Sequence, residues 1–395
     1  MKRRIIVIGL GQSGARFIRA CLAVGGETIA TEIVGGVDVE EENRTKFSRL
    51  GVPCYPSIEE ASRSVVADVA IVTVPEHHHY GVLLELKRKF PSLVRVMCEK
   101  PLAASMAEAC HLVQMFTDEE ISLNFVERFS PVVNELRQYI TAKGRKIARV
   151  NCFWGKYRVK DARPALGVVH VELAHPIDLI LMLAEVPTGA PFEVASVVGS
   201  QSNFDIKSSE ASQLDTVHVA VTFATGLQVL ASTSLLWSRR KRRIEAILMD
   251  ADGIAAELAV LEFDNPIWDL DQLEIYDLRA VGGTPKRIHF TDISRGDWPA
   301  NRLTIGKVCR FVEANLLELD GHTCPDMARL HQGAYVQEVL QRIMDAARTN
   351  AVSLSCFGDT EAVGRDDLTA RIDFLSRMLG GGEISVGEFI WDYQF

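Results

Sequence analysis

The chain has 395 residues, of which 47% are hydrophobic and 24% are charged, and its formal net charge is −9. This length and composition are typical of a soluble globular protein with two domains, each with its own core. The negative charge argues against a broad nucleic-acid surface, and no apolar run reaches the roughly 18 residues of a membrane span. The apolar run near the N-terminus stops at Gly9, so we interpret it as a first β-strand and not as a signal peptide.

The eight cysteines are scattered along the chain, and none of them forms a CxxC pair. Such spacing favours reduced thiols over a disulfide framework. We therefore expect a cytoplasmic protein.

In the first 125 residues, continuous apolar runs alternate with helix-like segments. The runs are Ile5–Gly9, Ile33–Asp38, Val66–Pro75, Leu93–Pro101 and Ile121–Phe129. Uninterrupted apolar strands separated by helices are typical of a parallel sheet that is covered on both faces. The pattern predicts a doubly wound α/β domain.

After about residue 130, alternating strands with turn signals between them replace this pattern. The predicted strands are Val150–Arg158, Phe192–Ser202, Thr216–Phe223, Gly226–Leu235, Arg243–Met249 and Gln272–Asp277, and the predicted helices are His175–Leu183 and Met327–Arg348. Short connections and alternation favour an open, mainly antiparallel sheet backed by helices. The second domain is therefore predicted to be α+β.

A glycine turn follows the first strand, in the order Gly9-Leu10-Gly11-Gln12-Ser13-Gly14. In a strand–turn–helix context this spacing is typical of dinucleotide binding, because the glycines allow a tight turn and a close approach of the pyrophosphate. The second strand ends at Asp38, where a carboxylate would bind the ribose hydroxyls and repel a 2′-phosphate. No arginine precedes Arg44 in this region, so the sequence favours NAD over NADP.

His77, His78 and His79 suggest a metal site at first sight. Adjacent side chains point in different directions, and no cluster of ligands elsewhere would complete such a site. We therefore predict no metal.

Several phrases occur in an order that resembles the Gfo/Idh/MocA (glucose–fructose oxidoreductase/inositol dehydrogenase) family. Besides the glycine turn, they are Thr73-Val74-Pro75 followed by His79, Glu99-Lys100-Pro101, Asn124–Phe129, and the stretch Gly167–Asp178 with His175. The resemblance implies a Rossmann-type NAD(P)-binding domain over residues 1–128 and a substrate and oligomerisation domain over 129–355. Residues 356–395 are expected to be an extension that packs on the second domain.

The resemblance also implies roles for individual residues. Lys100 would lie beside the nicotinamide, often before a cis peptide bond, and hydrogen-bond the reacting hydroxyl. His175 would remove the hydroxyl proton, because imidazole has a suitable pKa at neutral pH. His79 would lie beside the cofactor and cap the following helix. The complete expected cofactor set is Gly9, Gly11, Gln12, Ser13, Gly14, Asp38, Thr73, Pro75, His79, Glu99 and Lys100.

The sequence departs from the family pattern beside His175. The family often has an aspartate four residues before this histidine, where the chain has Val171. Either Glu172 replaces that aspartate after a local shift, or the histidine lacks a carboxylate partner. The candidate substrate residues are Arg128, Trp154, Tyr157, Arg158, Glu172 and Asp178, and the basic run Arg239–Arg243 is either a solvated face or a grip for a diphosphate.

These features predict an NAD-dependent oxidoreductase that acts on a hydroxyl or keto carbon of a sugar, a sugar derivative or a cyclitol. Reduction of an imine or enone on the same scaffold is an alternative, and so is a regulator that binds dinucleotide without catalysis. The family often dimerises through the open face of its second sheet, so we expect a homodimer or homotetramer with a small-molecule substrate, and neither nucleic acid nor membrane as a partner.

Overall fold

The structure is a computed structural model, and it describes residues 2–25, 30–157, 167–202, 214–265, 268–280, 285, 287–290 and 305–354. These residues form two compact units. The first consists of residues 2–129 and 305–337, and the second of the described residues in 130–295 and 338–354. Residues 305–337 were expected in the second domain but lie in the first unit. The predicted extension 356–395 lies outside the described residues.

The first unit contains a seven-stranded sheet in the order β15-β6-β5-β4-β1-β2-β3. Its neighbouring strands run parallel, except that β15 is antiparallel to β6. Labels follow chain order, and the strands are β1 (Arg3–Ile8), β2 (Thr31–Val37), β3 (Cys54–Tyr55), β4 (Val69–Val72), β5 (Arg95–Cys98), β6 (Ile121–Leu123) and β15 (Ala328–Arg329). Every residue of β4, β5 and β6 is buried, as expected for a sheet covered on both faces.

The helices of the first unit are α1 (Gln12–Val24), α2 (Glu41–Ser48), α3 (Ile58–Ser64), α4 (His79–Lys89), α5 (Met106–Met115) and α8 (Gly306–Leu319), with short 3-10 turns at Glu76–His78 and Val126–Phe129. Two of them begin with a serine cap. Ser57 Oγ accepts a hydrogen bond from the Glu60 N–H, and Ser105 Oγ accepts one from the Glu108 N–H. These side chains satisfy backbone donors that a helix leaves without partners in its first turn.

Helix α8 joins the first unit because it packs against α1. The rings of Phe17 and Phe311 meet edge to face, with centroids 6.1 Å apart. Beside them, the fully buried Lys307 Nζ lies 2.6 Å from Glu127 Oε2. The sequence shows that α8 is amphipathic but not which sheet it covers, and the prediction therefore placed it in the wrong domain.

The second unit contains a nine-stranded sheet in the order β14-β13-β12-β11-β7-β10-β9-β8-β16. The pairs β10–β7 and β16–β8 are parallel and the others are antiparallel. The strands are β7 (Lys146–Tyr157), β8 (Phe192–Ser202), β9 (Thr216–Phe223), β10 (Gln228–Ser234), β11 (Leu236–Met249), β12 (Ala255–Glu262), β13 (Gln272–Asp277), β14 (Arg287–Phe290) and β16 (Ala351–Leu354). Its helices are α6 (Pro131–Lys143), α7 (Ala174–Leu183) and the second half of α9 (Leu330–Thr349).

The predicted fold class, a doubly wound parallel sheet followed by a mainly antiparallel sheet with helices, is confirmed. The predicted bounds of β8, β9 and β13 agree with the structure. Strand β12 was missed because its sequence, AAELAVLE, is rich in alanine and glutamate, which strands disfavour. Its place between β11 and β13 makes it a strand, so tertiary pairing outweighs local propensity here.

Candidate functional site

The glycine turn joins β1 to α1, and a side chain at each of its three glycines would meet a different environment. Gly9 has a φ of +90°, and a Cβ there would lie 2.9 Å from the backbone of Thr73 and Val74. A Cβ on Gly14 would collide with the Gly9 carbonyl oxygen, so this glycine lets the helix pack on the strand. A Cβ on Gly11 would meet no protein atom within 4 Å. The space beside Gly11 is therefore open, at the helix N-terminus where backbone N–H groups bind phosphate.

Asp38 follows β2, as the ribose-binding prediction requires. Its carboxylate accepts hydrogen bonds from the N–H groups of Leu10 at 2.6 Å and Glu40 at 2.8 Å, and from Asn43 Nδ2 at 3.1 Å. These donors hold the carboxylate beside the glycine turn. Arg44 donates to the carbonyl oxygens of Asp38 and Val39, at 2.8 and 2.7 Å, so a guanidinium group lies beside the acid. The sequence placed Arg44 beyond this site.

The ends of β1, β4, β5 and β6 meet in a hydrogen-bonded cluster. Thr73 Oγ1 donates to the Gly9 carbonyl oxygen at 2.6 Å. Glu99 Oε1 accepts from Ser13 Oγ at 2.7 Å and from Asn124 Nδ2 at 3.0 Å. Glu99 thereby ties the first turn of α1 to the ends of β5 and β6. Asn124 was absent from the predicted site, although its position directly after β6 is a signal that could have identified it.

Only one of the three adjacent histidines is buried. His77 and His78 are exposed, whereas His79 is 1% exposed. The His79 ring nitrogens lie 2.8 Å from the Pro101 carbonyl oxygen and 3.0 Å from that of Val74. Burial lowers the pKa of His79, although both carbonyl contacts act to raise it.

The prediction that His79 caps a helix is wrong, because His79 is the first residue of α4 and its ring binds the loops that follow β4 and β5. Among the described residues, no group of three or more His, Cys, Asp and Glu side chains could hold a metal ion. The rings of His77 and His78 lie together, with centroids 4.0 Å apart, whereas the ring of His79 is directed to the carbonyl oxygens of Pro101 and Val74.

Lys100 lies two residues after β5, at the carboxyl edge of the parallel sheet, where ligands of doubly wound folds bind. It is half-buried, and the peptide bond that joins it to Pro101 is cis, as the resemblance implies. His79 binds the carbonyl oxygen of this proline. The loop that carries Lys100 is therefore held on one side by His79 and on the other by the contacts of Glu99.

His175 lies in the second unit, in the first turn of α7. A π-helical turn, Val169–Leu173, precedes the helix. Such a turn closes i→i+5 hydrogen bonds and so contains one residue more than an α-helical turn. Glu172, 2% exposed, places Oε1 3.1 Å from Lys156 Nζ on β7. The carboxylate next to the apolar Val171 is thus engaged by a lysine that the sequence did not single out.

Among the candidate substrate residues, the contact with substrate expected for Trp154 is contradicted by its burial. It is fully buried against Phe263, with ring centroids 5.4 Å apart, and against Arg242, so protein covers the ring that was expected to stack on a sugar. Arg128 is 4% exposed and donates to Gln332 Oε1 at 3.3 Å, which favours a structural role over a contact with substrate. Asp178 is buried in α7.

Two further candidate substrate residues lie partly or wholly outside the described residues. Tyr157 ends β7, but its side chain lies outside the described residues, and so does all of Arg158.

The basic run Arg239–Arg243 is only partly a solvated face. Arg242 is buried and pairs with Asp264, and Arg243 pairs with Glu245 and Glu262 at 2.7 Å each. Arg239 and Lys241 are exposed. Two of the five charges in the run, those of Arg242 and Arg243, are therefore paired with carboxylates within the second unit.

Residues 3–124 match the family model described as an oxidoreductase family with an NAD-binding Rossmann fold, GFO_IDH_MocA. Over these residues, the first domain of this chain is similar to the Gfo/Idh/MocA family. The resemblance stated from the sequence is confirmed by this match.

A curated relative, an inositol 2-dehydrogenase from Paenarthrobacter aurescens (strain TC1), is 28% identical over 151 residues. This alignment covers 36% of the chain and 43% of the relative.

Two solved structures share the fold of both domains at low identity. A UDP-N-acetylglucosamine 3-dehydrogenase from Acidithiobacillus ferrooxidans has a TM-score of 0.67 and 18% identity, over 89% of this chain and 99% of that one. A super-repressor mutant of Gal80p from Saccharomyces cerevisiae has a TM-score of 0.67 and 14% identity, over 89% and 97%. These likenesses support the fold of the chain and not a particular activity.

The residues of the first unit fit a dinucleotide. Gly11 leaves an open cradle at the N-terminus of α1, Asp38 is fixed at the end of the neighbouring strand, and Lys100 lies on the other side of the turn. The first unit thus provides an open turn, a fixed carboxylate and a lysine at the sheet edge, an arrangement that fits a dinucleotide.

Proposed function

We propose that the chain is an NAD-dependent oxidoreductase that transfers a hydride between the nicotinamide and a hydroxyl or keto carbon of a sugar, a sugar derivative or a cyclitol. The observation that carries the proposal is the position of Lys100. It follows Glu99, which binds the first turn of α1, and so it lies at the sheet edge where the reactive half of a dinucleotide is expected. The inositol and nucleotide-sugar dehydrogenases among the similar proteins support this substrate class.

Two side chains would handle the proton and the developing charge. The bound dinucleotide supplies the hydride acceptor or donor. In the direction of oxidation, His175 takes the hydroxyl proton and the Lys100 ammonium stabilises the negative charge on the substrate oxygen. We propose that Glu172 does not replace the aspartate missing at Val171 as the direct partner of His175. Its Oε1 forms an ion pair with Lys156, so Glu172 would influence the proton transfer only through that lysine.

Asp38 supports NAD over NADP. A fixed carboxylate accepts hydrogen bonds from the ribose hydroxyls and repels a 2′-phosphate. Arg44 already donates to two backbone carbonyl oxygens, which reduces its availability to a phosphate. Calorimetric titration should give a lower Kd for NADH than for NADPH, and the reverse order would contradict this preference.

The test is a thermal-shift panel of NAD(H) and NADP(H), alone and with myo-inositol or UDP-N-acetylglucosamine, followed by turnover assays. A ligand that binds the native state raises its melting temperature. Lys100→Ala should lose turnover by about 10²-fold or more while keeping its shift with NADH, because the lysine acts on the substrate oxygen. Lys100→Arg keeps the charge and controls for its loss. Full turnover in Lys100→Ala would refute the assignment.

A regulator that binds dinucleotide without catalysis is the second candidate, and Val171 is the observation that favours it. An apolar side chain stands where the family often has the carboxylate partner of the histidine, and the fold resembles that of a repressor mutant. Binding of NADH with a normal thermal shift, but no turnover across the panel, would favour this reading over the enzyme.

We also propose that two copies associate through the open face of the second sheet. Val198 on β8, Leu230 on β10 and Phe153 on β7 lie on this face and are 37–55% exposed, which is unusual for three large apolar side chains within four neighbouring strands. Light scattering should show a dimer or tetramer, and Leu230→Lys should shift it toward the monomer. A monomeric wild type at micromolar concentration would contradict the proposal.

We propose a reducing compartment, the cytoplasm, because the cysteines of the described residues are free thiols. Within the same residues, no helix is long and apolar enough to cross a membrane.

A further inference from the structure

Asn124 is fixed at the carboxyl edge of the first sheet. It follows β6, its N–H donates to the Cys98 carbonyl oxygen at 2.8 Å, and it is 3% exposed. Its Nδ2 donates to Glu99 Oε1 at 3.0 Å, and this oxygen also accepts from Ser13. The opposite orientation of the amide would place its oxygen against a carboxylate, so the hydrogen bond fixes which way the amide points.

The other end of this amide is an acceptor that lacks a donor. Asn124 Oδ1 is buried, and no hydrogen-bond donor contacts it within the structure as described. Buried acceptors of native proteins are almost always satisfied, and an exception calls for a reason such as a functional role or a bound molecule. The donor for this oxygen is therefore expected to come from a ligand.

The order of the strands indicates which part of a dinucleotide would supply the donor. The pyrophosphate is expected at the N-terminus of α1, next to β1, and the adenosine ribose at Asp38, after β2. Strands β4, β5 and β6 lie on the opposite side of β1 from β2. The nicotinamide half must therefore extend toward the ends of β4, β5 and β6, where Asn124 is located.

We propose that Asn124 Oδ1 accepts a hydrogen bond from the carboxamide N–H₂ of the nicotinamide, while Glu99 holds the asparagine in place. The carboxamide is the one amide donor of that half of the cofactor, and it meets an amide acceptor of fixed orientation. Asn124 is thus a cofactor-positioning residue that sets the rotation of the nicotinamide ring. This inference rests on the proposed dinucleotide site.

The experiment compares three ligands by calorimetric titration. They are NADH, the reduced 3-acetylpyridine analogue, which has a methyl group in place of the carboxamide N–H₂, and ADP-ribose, which has no nicotinamide. Wild type should bind the analogue about fivefold more weakly than NADH, which is about 1 kcal/mol at 1.4 kcal/mol per tenfold, the net worth of one hydrogen bond. Asn124→Ala should bind NADH about fivefold more weakly than wild type does, bind ADP-ribose unchanged, and no longer distinguish NADH from the analogue.

Ser13→Ala is the matched control, because it removes the other donor to Glu99 Oε1. If Asn124 acted only through Glu99, Ser13→Ala would also lose the distinction between NADH and the analogue. We expect Ser13→Ala to retain it.

The possible outcomes separate this inference from the function on which it rests. If wild type does not bind ADP-ribose, the dinucleotide site itself is overturned, and this inference with it. If ADP-ribose binds but wild type binds NADH and the analogue equally, only the role of Asn124 is wrong, and an ordered water is the donor instead. The wild-type comparison needs no variant, so poor folding of Asn124→Ala would leave the decision intact.

Discussion

Replacing Gly11 by alanine should separate cofactor binding from folding. The added methyl group would meet no protein atom within 4 Å, and the backbone there, with φ −69° and ψ −162°, is accessible to alanine. Reduced freedom of the unfolded chain stabilises by about 0.4–1 kcal/mol. Alanine is a poorer helix N-cap than glycine, which opposes this by a similar amount. We therefore expect the free energy of unfolding without ligand to change by less than about 1 kcal/mol.

Cofactor binding should nevertheless be lost, because the methyl group would occupy the space that a pyrophosphate needs beside the N-terminus of α1. The assay is thermal unfolding with and without NADH. Binding adds RT ln(1 + [L]/Kd) to the stability, which is about 2.7 kcal/mol at a hundredfold excess over Kd. The ligand-induced shift of the melting temperature should be present in wild type and nearly absent in Gly11→Ala.

Gly14→Ala is the matched control, because its methyl group would collide with the Gly9 carbonyl oxygen inside the protein. Such overpacking costs about 1–3 kcal/mol, so this variant should melt at a lower temperature even without ligand. If Gly11→Ala kept the full NADH-induced shift, the glycine turn would not be the phosphate cradle. If it lost stability as Gly14→Ala does, the space beside Gly11 would not be open.

His79→Leu should lower the free energy of unfolding by about 1–3 kcal/mol, since the carbonyl oxygen that accepts the single N–H of the neutral ring loses its donor, whereas His78→Leu at the exposed neighbour should change it little. Burial holds the pKa of His79 below its usual 6.5, so the unfolded chain binds a proton more readily than the folded protein does. The difference in free energy of unfolding between wild type and His79→Leu should therefore shrink as the pH falls below 6.5. A difference that grew instead would contradict this. Lys156→Met should destabilise by about 1–3 kcal/mol at pH 7 by removing the ammonium group that lies 3.1 Å from the buried Glu172 carboxylate, and Glu172→Gln should restore part of the loss in the double variant. Lys146→Met, at an exposed lysine, is the control. Chemical denaturation measures the free energy of unfolding of each variant, and a double variant whose loss equals the sum of the Lys156→Met and Glu172→Gln losses would contradict the ion pair.

The features that the sequence predicted well are those in which local chemistry determines position. The glycine turn, Asp38 and Lys100 each stand at the end of a buried strand, and strands that are buried on both faces can be recognised from their apolar runs. Helix starts are local in the same sense, because the hydroxyl groups of Ser57 and Ser105 accept hydrogen bonds from backbone N–H groups three residues ahead.

The features that it predicted poorly depend on contacts between distant segments. The role of His79 follows from the carbonyl oxygen of Pro101, 22 residues away. Glu172 reaches Lys156 on a strand that precedes it by 16 residues, and a π-helical turn, which has no sequence signature, sets its direction. Trp154 was expected at a substrate because aromatic rings suit sugars, but only the packing of Phe263 and Arg242 shows that its ring is covered.

The first domain is built from two separate segments of the chain, and this has a consequence for its synthesis on the ribosome. Phe17, Ile18 and Cys21 of α1 share a core with Phe311 and Val312 of α8. The ribosome must therefore add about 200 residues after Phe129 before this core is complete, which takes on the order of 10–40 s at about 5–20 residues per second. During that interval the apolar side of α1 that contacts α8 remains uncovered. A fragment that ends at Phe129 would have the same face permanently uncovered and should aggregate when it is expressed alone.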